Sequence, residues 1–309
     1  MVYWGVGVPH QMQHDWREVR AGWWYNWRCD LTRMADAIYV PMIYSSATVS
    51  WPVVDAIAAT YPYRYWLFLN EPERLDQANM TPQQAAALYN QLQAHVAGRA
   101  KFIVGGVTCD DAGITWLMEF LPLVQNYAGA HIHLYGWDTD NEAWNSYRRN
   151  IERVREMVSG ELWLSETGYL AGDDSAWVRD NWLMPLFKRV LAYVRLHRVA
   201  WYATHDYLGS RPGTNLVETD GELTALGATW VDLTRWGLWP GWNMAVPPIV
   251  ESASVEEVVR GQPITAIQRY EQGGWYSWLR DRPAFLNTLT VLRPDVAYWV
   301  RVERAFIWS

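Results

Sequence analysis

Eight short apolar, aromatic or β-branched runs punctuate the first 203 residues: Tyr3–Val8, Gly22–Trp27, Ala37–Tyr44, Tyr65–Glu71, Lys101–Gly106, Ala130–Gly136, Glu161–Glu166 and Arg198–Ala203. Helical patterns with recognisable ends separate several of them, which is the alternation of βα units built on a parallel sheet. Eight is the number of strands that closes such a sheet into a barrel of about 250 residues. Thr81-Pro82 supplies an N-cap and a first-turn proline for a helix that Gln83 to Val96 continues. Trp144 to Val158 carries Tyr147, Ile151, Val154 and Val158 near a 3.6 period and is followed by Gly160. Asp174 or Ser175 caps a further helix to about His197, with a kink expected at Pro185. His10 to Val19 leaves room for one or two helical turns only, so the first unit is the least regular. Residues 215–224 read as an extended segment with an Asp-Gly turn, and Leu226 to Leu238 as a closing helix. The expected fold class is α/β, a (β/α)8 TIM barrel over residues 1–240.

A change of composition at Trp239-Pro240-Gly241 and Pro247-Pro248 marks the end of that pattern. Strand-like pieces at Thr265–Tyr270, Trp275–Leu279, Thr288–Leu292 and Ala297–Val302 then alternate with Gly, Pro and Asp turns. They predict a small C-terminal β-rich module over residues 245–309, too short to stand alone and therefore packed on the barrel.

Composition removes several functional classes. No run reaches the roughly 18 apolar residues of a membrane span, and a net charge of −7 without any Lys/Arg-rich run offers nucleic acid no footprint. The two cysteines, Cys29 and Cys109, are too few for a disulfide scaffold and lack the spacing of a zinc site. No cofactor and no metal are expected, and a monomer is. The first strand follows Met1 almost directly, so compartment stays open between the cytoplasm and export after removal of a leader. The anomaly is 22 tryptophans. Many must be core, but such an excess also fits flat platforms for sugar rings.

Two of the eight runs end in a carboxylate, Glu71 before Pro72 and Glu166 before Thr167-Gly168. On parallel strands of one barrel both open at the C-terminal face, where such barrels carry their chemistry. Period-two alternation predicts Tyr65, Leu67, Leu69 and Glu71 on one inward face, and Leu162, Leu164 and Glu166 on another. Pro72 is expected to hold Glu71 extended. The sixth run aligns His131, His133 and Tyr135 on one face, a polar stripe that needs hydrogen-bond partners. Tyr135 is the expected partner of Glu166, and His131 reads as a satisfied core residue. Two converging glutamates can cleave a glycosidic bond, with retention when the carboxyl groups stand about 5–5.5 Å apart.

The pieces Trp23-Trp24-Tyr25-Asn26-Trp27, Leu69-Asn70-Glu71-Pro72-Glu73, His133-Leu134-Tyr135-Gly136 and Trp163-Leu164-Ser165-Glu166-Thr167-Gly168 occur in that order. Over residues 3–238 the chain resembles the clan A glycoside hydrolases, whose catalytic glutamates end strands four and seven. Within the clan it is most similar to family 128, the β-1,3-glucanases with an Asl1-like core. That resemblance implies Glu71 as general acid/base, Glu166 as nucleophile, and Asn70 as the residue binding the sugar 2-hydroxyl. His133 and Tyr135 match the family's sixth-strand pair, while Glu73 replaces its usual Asp. The implied activity is retaining hydrolysis of a β-linked glucan, best an endo-β-1,3-glucanase, with a carbohydrate as the partner. A clan A glycosidase of other specificity (β-1,4-glucan, mannan or galactan), a catalytically silent carbohydrate-binding barrel and a metal-dependent hydrolase are the competing readings. Trp24, Asn26, Trp27, Tyr44, Trp137, Trp201, His205 and Asp206 lie at or beyond strand ends and are subsite candidates. Asn26 and Trp201 lead, one as a hydrogen-bonding amide and one as a flat apolar wall.

Overall fold

A computed structural model describes residues 3–9, 17–136, 138–169, 174–191, 194, 196–205, 212–238, 240–271, 273–294 and 296–308. The eight runs form eight parallel strands: β1 (Tyr3–Gly7), β2 (Trp23–Tyr25), β3 (Met42–Ile43), β4 (Arg64–Phe68), β5 (Ala100–Thr108), β6 (Gly129–Gly136), β7 (Glu161–Tyr169) and β8 (Arg198–Trp201). Their order is β2-β1-β8-β7-β6-β5-β4-β3. The ring closes through a parallel bridge between Trp24 and Tyr39, where the Val40 N–H donates to the Trp24 carbonyl at 2.8 Å.

Helices α1 (Trp51–Thr60), α2 (Pro82–Val96), α3 (Asp111–Phe120) and α4 (Asn141–Met157) pack outside the strands. Thr81 and Gln84 make a reciprocal capping box at the start of α2, as the Thr-Pro signal predicts. Asp140 caps α4 three residues ahead of the expected start, because its carboxylate accepts the Ala143 N–H. Asp174 caps α5 (Ser175–Val178), which continues as π-helical turns over Arg179–Leu183 and Leu186–Leu191. The expected proline kink at Pro185 is therefore a widened helix, a geometry that accommodates a missing N–H. Helix α6 (Ala225–Trp236) closes the barrel segment under a Thr224 cap. No described helix is long and apolar enough to cross a membrane.

The barrel interior holds Trp23, Tyr25, Val40, Met42, Leu67, Ile103, Trp163 and Ala200. A Cβ on Gly5 would lie 2.3 Å from the Trp23 ring, so that glycine makes room for an indole inside the barrel. At the N-terminal ends of the strands the floor is an aromatic cage around a cation. The Arg198 guanidinium lies 4.3 Å from the Trp163 ring centre and 4.9 Å from that of Tyr65. Glu161 accepts the Tyr65 hydroxyl at 2.6 Å and the Trp163 Nε1–H at 2.7 Å. Burial lowers the Arg198 pKa, and the Glu161 charge opposes that shift.

After α6 the chain forms β9 (Gly237–Leu238), β10 (Gly241–Ala245), β11 (Ala253–Ser254), a helical turn α7 (Val255–Val258), β12 (Ile264–Glu271), β13 (Gly274–Leu279), β14 (Val291–Leu292), β15 (Tyr298–Val302) and β16 (Phe306–Ile307). Four of these make an antiparallel sheet, β10-β15-β12-β13. It has its own apolar cluster, including Val255, Ile264, Ile267, Trp278, Tyr298, Val300 and Trp308. Strand β10 begins at Gly241, ahead of the expected residue 245, and its Gly-Trp-Asn-Met-Ala sequence carries no β-branched residue to announce it. Pairing of β16 with β9, and the packing of Ala305 and Ile307 on the barrel's apolar cluster, tie the sheet to the barrel.

Candidate active site

Glu71 reaches the cleft by a turn. Leu67 faces the barrel interior, but Leu69 (φ +73°) swings into the strand–helix layer and Glu71 itself has φ +44°. Glu71 is thus left-handed, not extended as its proline neighbour predicts. The cause is a backbone clamp: Leu69 N–H donates to Ile43 O at 2.7 Å, Asn70 N–H to Tyr44 O at 3.1 Å and Glu71 N–H to Gly106 O at 2.6 Å. A side chain at Gly106 would put its Cβ 2.5 Å from Leu69 O, and φ +65° there favours glycine. Strain of this kind persists where surrounding contacts over-determine it, commonly at functional sites.

Glu166 is also aimed by an irregularity. Ile132 pairs with Leu164 and His133 with Glu166, so Ser165 is an extra residue in β7, a bulge that resets the alternation. Leu162 and Leu164 face the helices, and Trp163 is the inward residue. The expectation that Leu162, Leu164 and Glu166 share a face is therefore corrected: Glu166 points inward because of the bulge. Ser165 is held by a 2.7 Å contact between its hydroxyl and His131 Nδ1.

The two carboxylates converge. One oxygen of each, with a ring nitrogen of His133, lies within 4.8 Å of the others, and all three residues are buried. His133 Nδ1 is 3.0 Å from Glu71 Oε1 and 3.4 Å from Glu166 Oε2. Three hydrogens point at Glu166: Trp27 Nε1–H at 2.7 Å and Tyr25 O–H at 3.0 Å on Oε1, and Tyr135 O–H at 2.5 Å on Oε2. That donor set is matched to a negative charge. Burial, and then the Glu166 charge, hold the pKa values of Tyr25 and Tyr135 well above the usual phenol value, so both stay donors. For His133, burial opposes the charged ring, but Glu166 and Glu71 outweigh it and raise its pKa. His131, one turn of the pleat lower, is pushed down to about 3 by burial and by its charged neighbour His133.

The surroundings of Glu71 differ. Arg74 Nε lies 3.3 Å from its Oε2. Glu73 ties the same loop to the end of β5 by accepting the Thr108 N–H and hydroxyl, each at 2.7 Å. Burial raises the Glu73 pKa against those two hydrogen bonds. Asn70 Nδ2 donates to Gln77 Oε1 at 3.2 Å, and its Oδ1 is buried without a partner. Tyr44 also donates to Gln77 Oε1.

Glu71, His133 and Glu166 have the proximity to share a cation. Arg74, Tyr25, Trp27 and Tyr135 already direct hydrogens at the same carboxylate oxygens, which suits free carboxylates better than metal ligands.

The remaining expected site residues divide. Trp27 and Tyr135 touch Glu166, His133 touches both carboxylates, and Asn70 adjoins Glu71. Trp24 and Trp201 are corrected, because alternation turns both outward. Trp24 is buried against the Tyr39 ring with its Nε1–H on Asp36, and Trp201 is wholly buried with its Nε1–H on Thr214 O at 2.7 Å. Neither has a free face for a sugar. Asn26 is buried with its Oδ1 accepting the Tyr39 hydroxyl, so it braces the β2 end. His205 is engaged with Val217 O. Trp137 and Asp206 lie outside the described residues. Missed were Tyr25, Tyr202, Gln77 and Arg74. Tyr25 was legible, since period two places Trp23, Tyr25 and Trp27 on one face. Tyr202, with ring centres 5.8 Å from Trp27 and 5.6 Å from Tyr135, follows the end of β8 and carries no sequence signal.

Residues 5–230 match the family described as glycosyl hydrolase catalytic core. No curated protein matches the chain. Among solved structures, a GH128 subgroup II endo-β-1,3-glucanase from Sorangium cellulosum is 22% identical with TM-score 0.58, covering 74% of this chain and 97% of its own. A GH128 subgroup I endo-β-1,3-glucanase from Amycolatopsis mediterranei, in complex with laminaritriose, is 22% identical with TM-score 0.58, covering 75% and 99%. A GH128 subgroup III curdlan-specific exo-β-1,3-glucanase from Blastomyces gilchristii, in complex with glucose, is 22% identical with TM-score 0.56, covering 74% and 97%.

Proposed function

This chain belongs to the glycosyl hydrolase catalytic core family, and from that premise we propose that it is a retaining β-1,3-glucanase acting through Glu166 and Glu71. The observation that carries the reading is the convergence of the two carboxylates within 4.8 Å. So close an approach of their nearest oxygens favours the retaining separation of about 5–5.5 Å over the roughly 6.5–9.5 Å of inversion. Glu166 attacks the anomeric carbon while Glu71 protonates the departing glycosidic oxygen. A water then enters, Glu71 takes its proton, and the ester to Glu166 breaks.

The neighbours support these roles. Trp27, Tyr25 and Tyr135 locate the attacking carboxylate and solvate it again when the ester opens. The ring of His133 stands between the two carboxylates and offsets their mutual repulsion. The unpartnered Asn70 Oδ1 supplies an acceptor beside Glu71 for a sugar hydroxyl. β-1,3-Glucan is the substrate named for the similar solved structures, both endo- and exo-acting. Incubation with linear β-1,3-glucan, followed by NMR of the first product anomer, tests the reading. Release of β-anomers, lost in Glu166→Gln, is expected. Release of α-anomers, or turnover of β-1,4-glucan or mannan with none of β-1,3-glucan, overturns it.

A further inference from the structure

Most of the tryptophans are buried, yet Trp242, Trp275 and Trp299 are 47%, 59% and 42% exposed. Among the described residues only one other tryptophan, Trp177, is exposed. The three stand on the same side of the C-terminal sheet. Met244 pairs with Trp299, Trp299 with Gln268, Gln268 with Ser277, and Tyr270 with Trp275, and paired residues share a face. Trp242 lies two residues before Met244 on that face, opposite Arg301. The other face carries Ile267, Trp278 and Val300 into the apolar cluster.

Register turns these positions into a line. Trp242 on β10, Trp299 on β15, then Tyr270 on β12 and Trp275 on β13 step diagonally across all four strands. Ordinary strand spacing and rise give the line a length of about 20 Å. Tyr270 and Trp275 have ring centres 5.4 Å apart, and Tyr270 is 59% exposed. Exposed aromatic area on this scale marks a binding surface.

We propose that this diagonal is an accessory site for a polysaccharide chain, which keeps the enzyme on its polymer. The claim about which polymer rests on the glucanase reading above. The composition selects the occupant. Rings alternate with the hydrogen-bonding side chains of Gln268, Ser277 and Arg301, and Met244 is the one exposed aliphatic side chain among them, Ala266 on the same face being buried. A sugar chain presents C–H faces edged by hydroxyls, and matches flat rings flanked by polar groups. A protein partner or second copy calls for a broader apolar core than one line of rings. The family match stops at residue 230, so the sheet is an addition to the barrel.

The test uses the full chain carrying Glu166→Gln, sedimented with insoluble β-1,3-glucan, cellulose or mannan. Retention on β-1,3-glucan is expected, and the added triple change Trp242→Ala, Trp275→Ala and Trp299→Ala should weaken it about tenfold or more. In the active chain that triple change should slow attack on insoluble glucan while sparing kcat/KM on a short soluble oligosaccharide. Trp275→Ala alone, on an edge strand, should show the same effect in smaller measure with an unchanged melting temperature. Unaltered retention and polymer rate in both variants overturn the site. So does an ultracentrifugation result in which these rings are needed only for dimerisation. Ring-dependent retention without any hydrolysis by the unsubstituted chain keeps this site and overturns the glucanase reading alone.

Discussion

Strand β7 begins with one glutamate and carries a second just past its bulge, and each receives a tyrosine hydroxyl and a tryptophan N–H: Tyr65 and Trp163 on Glu161, Tyr25 and Trp27 on Glu166. The same donor pair serves opposite purposes because the counter-charge differs. At the floor, the Arg198 cation lies among the rings and the electrostatics close on themselves. At the mouth, Glu166 faces a second carboxylate, with one imidazole between them. Surplus negative charge is costly to hold in a buried place and is what a nucleophile and an acid need.

Exchanging the two glutamates separates these purposes. Glu166→Gln should lower kcat by at least 10³-fold with little change in melting temperature, and Glu71→Gln by about 10²–10⁴-fold. Glu161→Gln should leave kcat unaltered and cost stability, so comparable activity losses at both ends would break the comparison. Next in size, Tyr25→Phe and Tyr135→Phe each remove a donor to a charged group, worth about 1.5–3 kcal/mol, visible as a loss of roughly 10- to 100-fold in kcat/KM. Tyr65→Phe at the floor should leave kcat/KM alone. Arg198→Met removes the cation and strands Glu161, which we expect to cost about 2 kcal/mol in urea unfolding at unchanged activity per folded molecule.

The last effect concerns the histidine stripe and is smallest near neutral pH, and its sign differs between neighbours. His131 stays neutral in the fold down to about 3, whereas in the unfolded chain it takes a proton below about 6.5. Its share of stability therefore falls as pH drops from about 6.5, by up to about 1 kcal/mol per pH unit. His133 has a raised folded pKa, so its share is present below the ordinary imidazole value and is lost as pH climbs through the folded value. Urea titrations between pH 4 and 8 should show His131→Gln flattening the acid limb and His133→Gln the alkaline limb. The same limb flattened by both would remove the distinction.

The eight strands were legible because buried parallel strands are apolar on both sides and stand out from amphipathic helices. The candidate catalytic pair was legible because an acid at the end of such a run is conspicuous. The facing of its neighbours was not. Strict alternation misplaced Leu69, Leu162 and Leu164, since nothing in the letters Leu-Ser-Glu marks Ser165 as an extra residue. The positive φ of Leu69 and Glu71 depends on carbonyls of β3, β5 and the loop after β3, which no local pattern reports. Trp24 and Trp201 failed for a related reason: an aromatic at a strand end serves the helix layer or the cleft according to its phase.

Because a bulge brings Glu166 inward although Ser165 stands between it and Leu164, what this stretch of β7 must keep is the point at which its register shifts. Deleting Ser165 would leave Trp163 and Glu166 on the same inward face of an even pleat, whereas ironing the bulge out with Ser165 kept would turn the carboxylate toward the helices. The fold thus stores the direction of a carboxylate in the placing of one irregularity rather than in the letters around it.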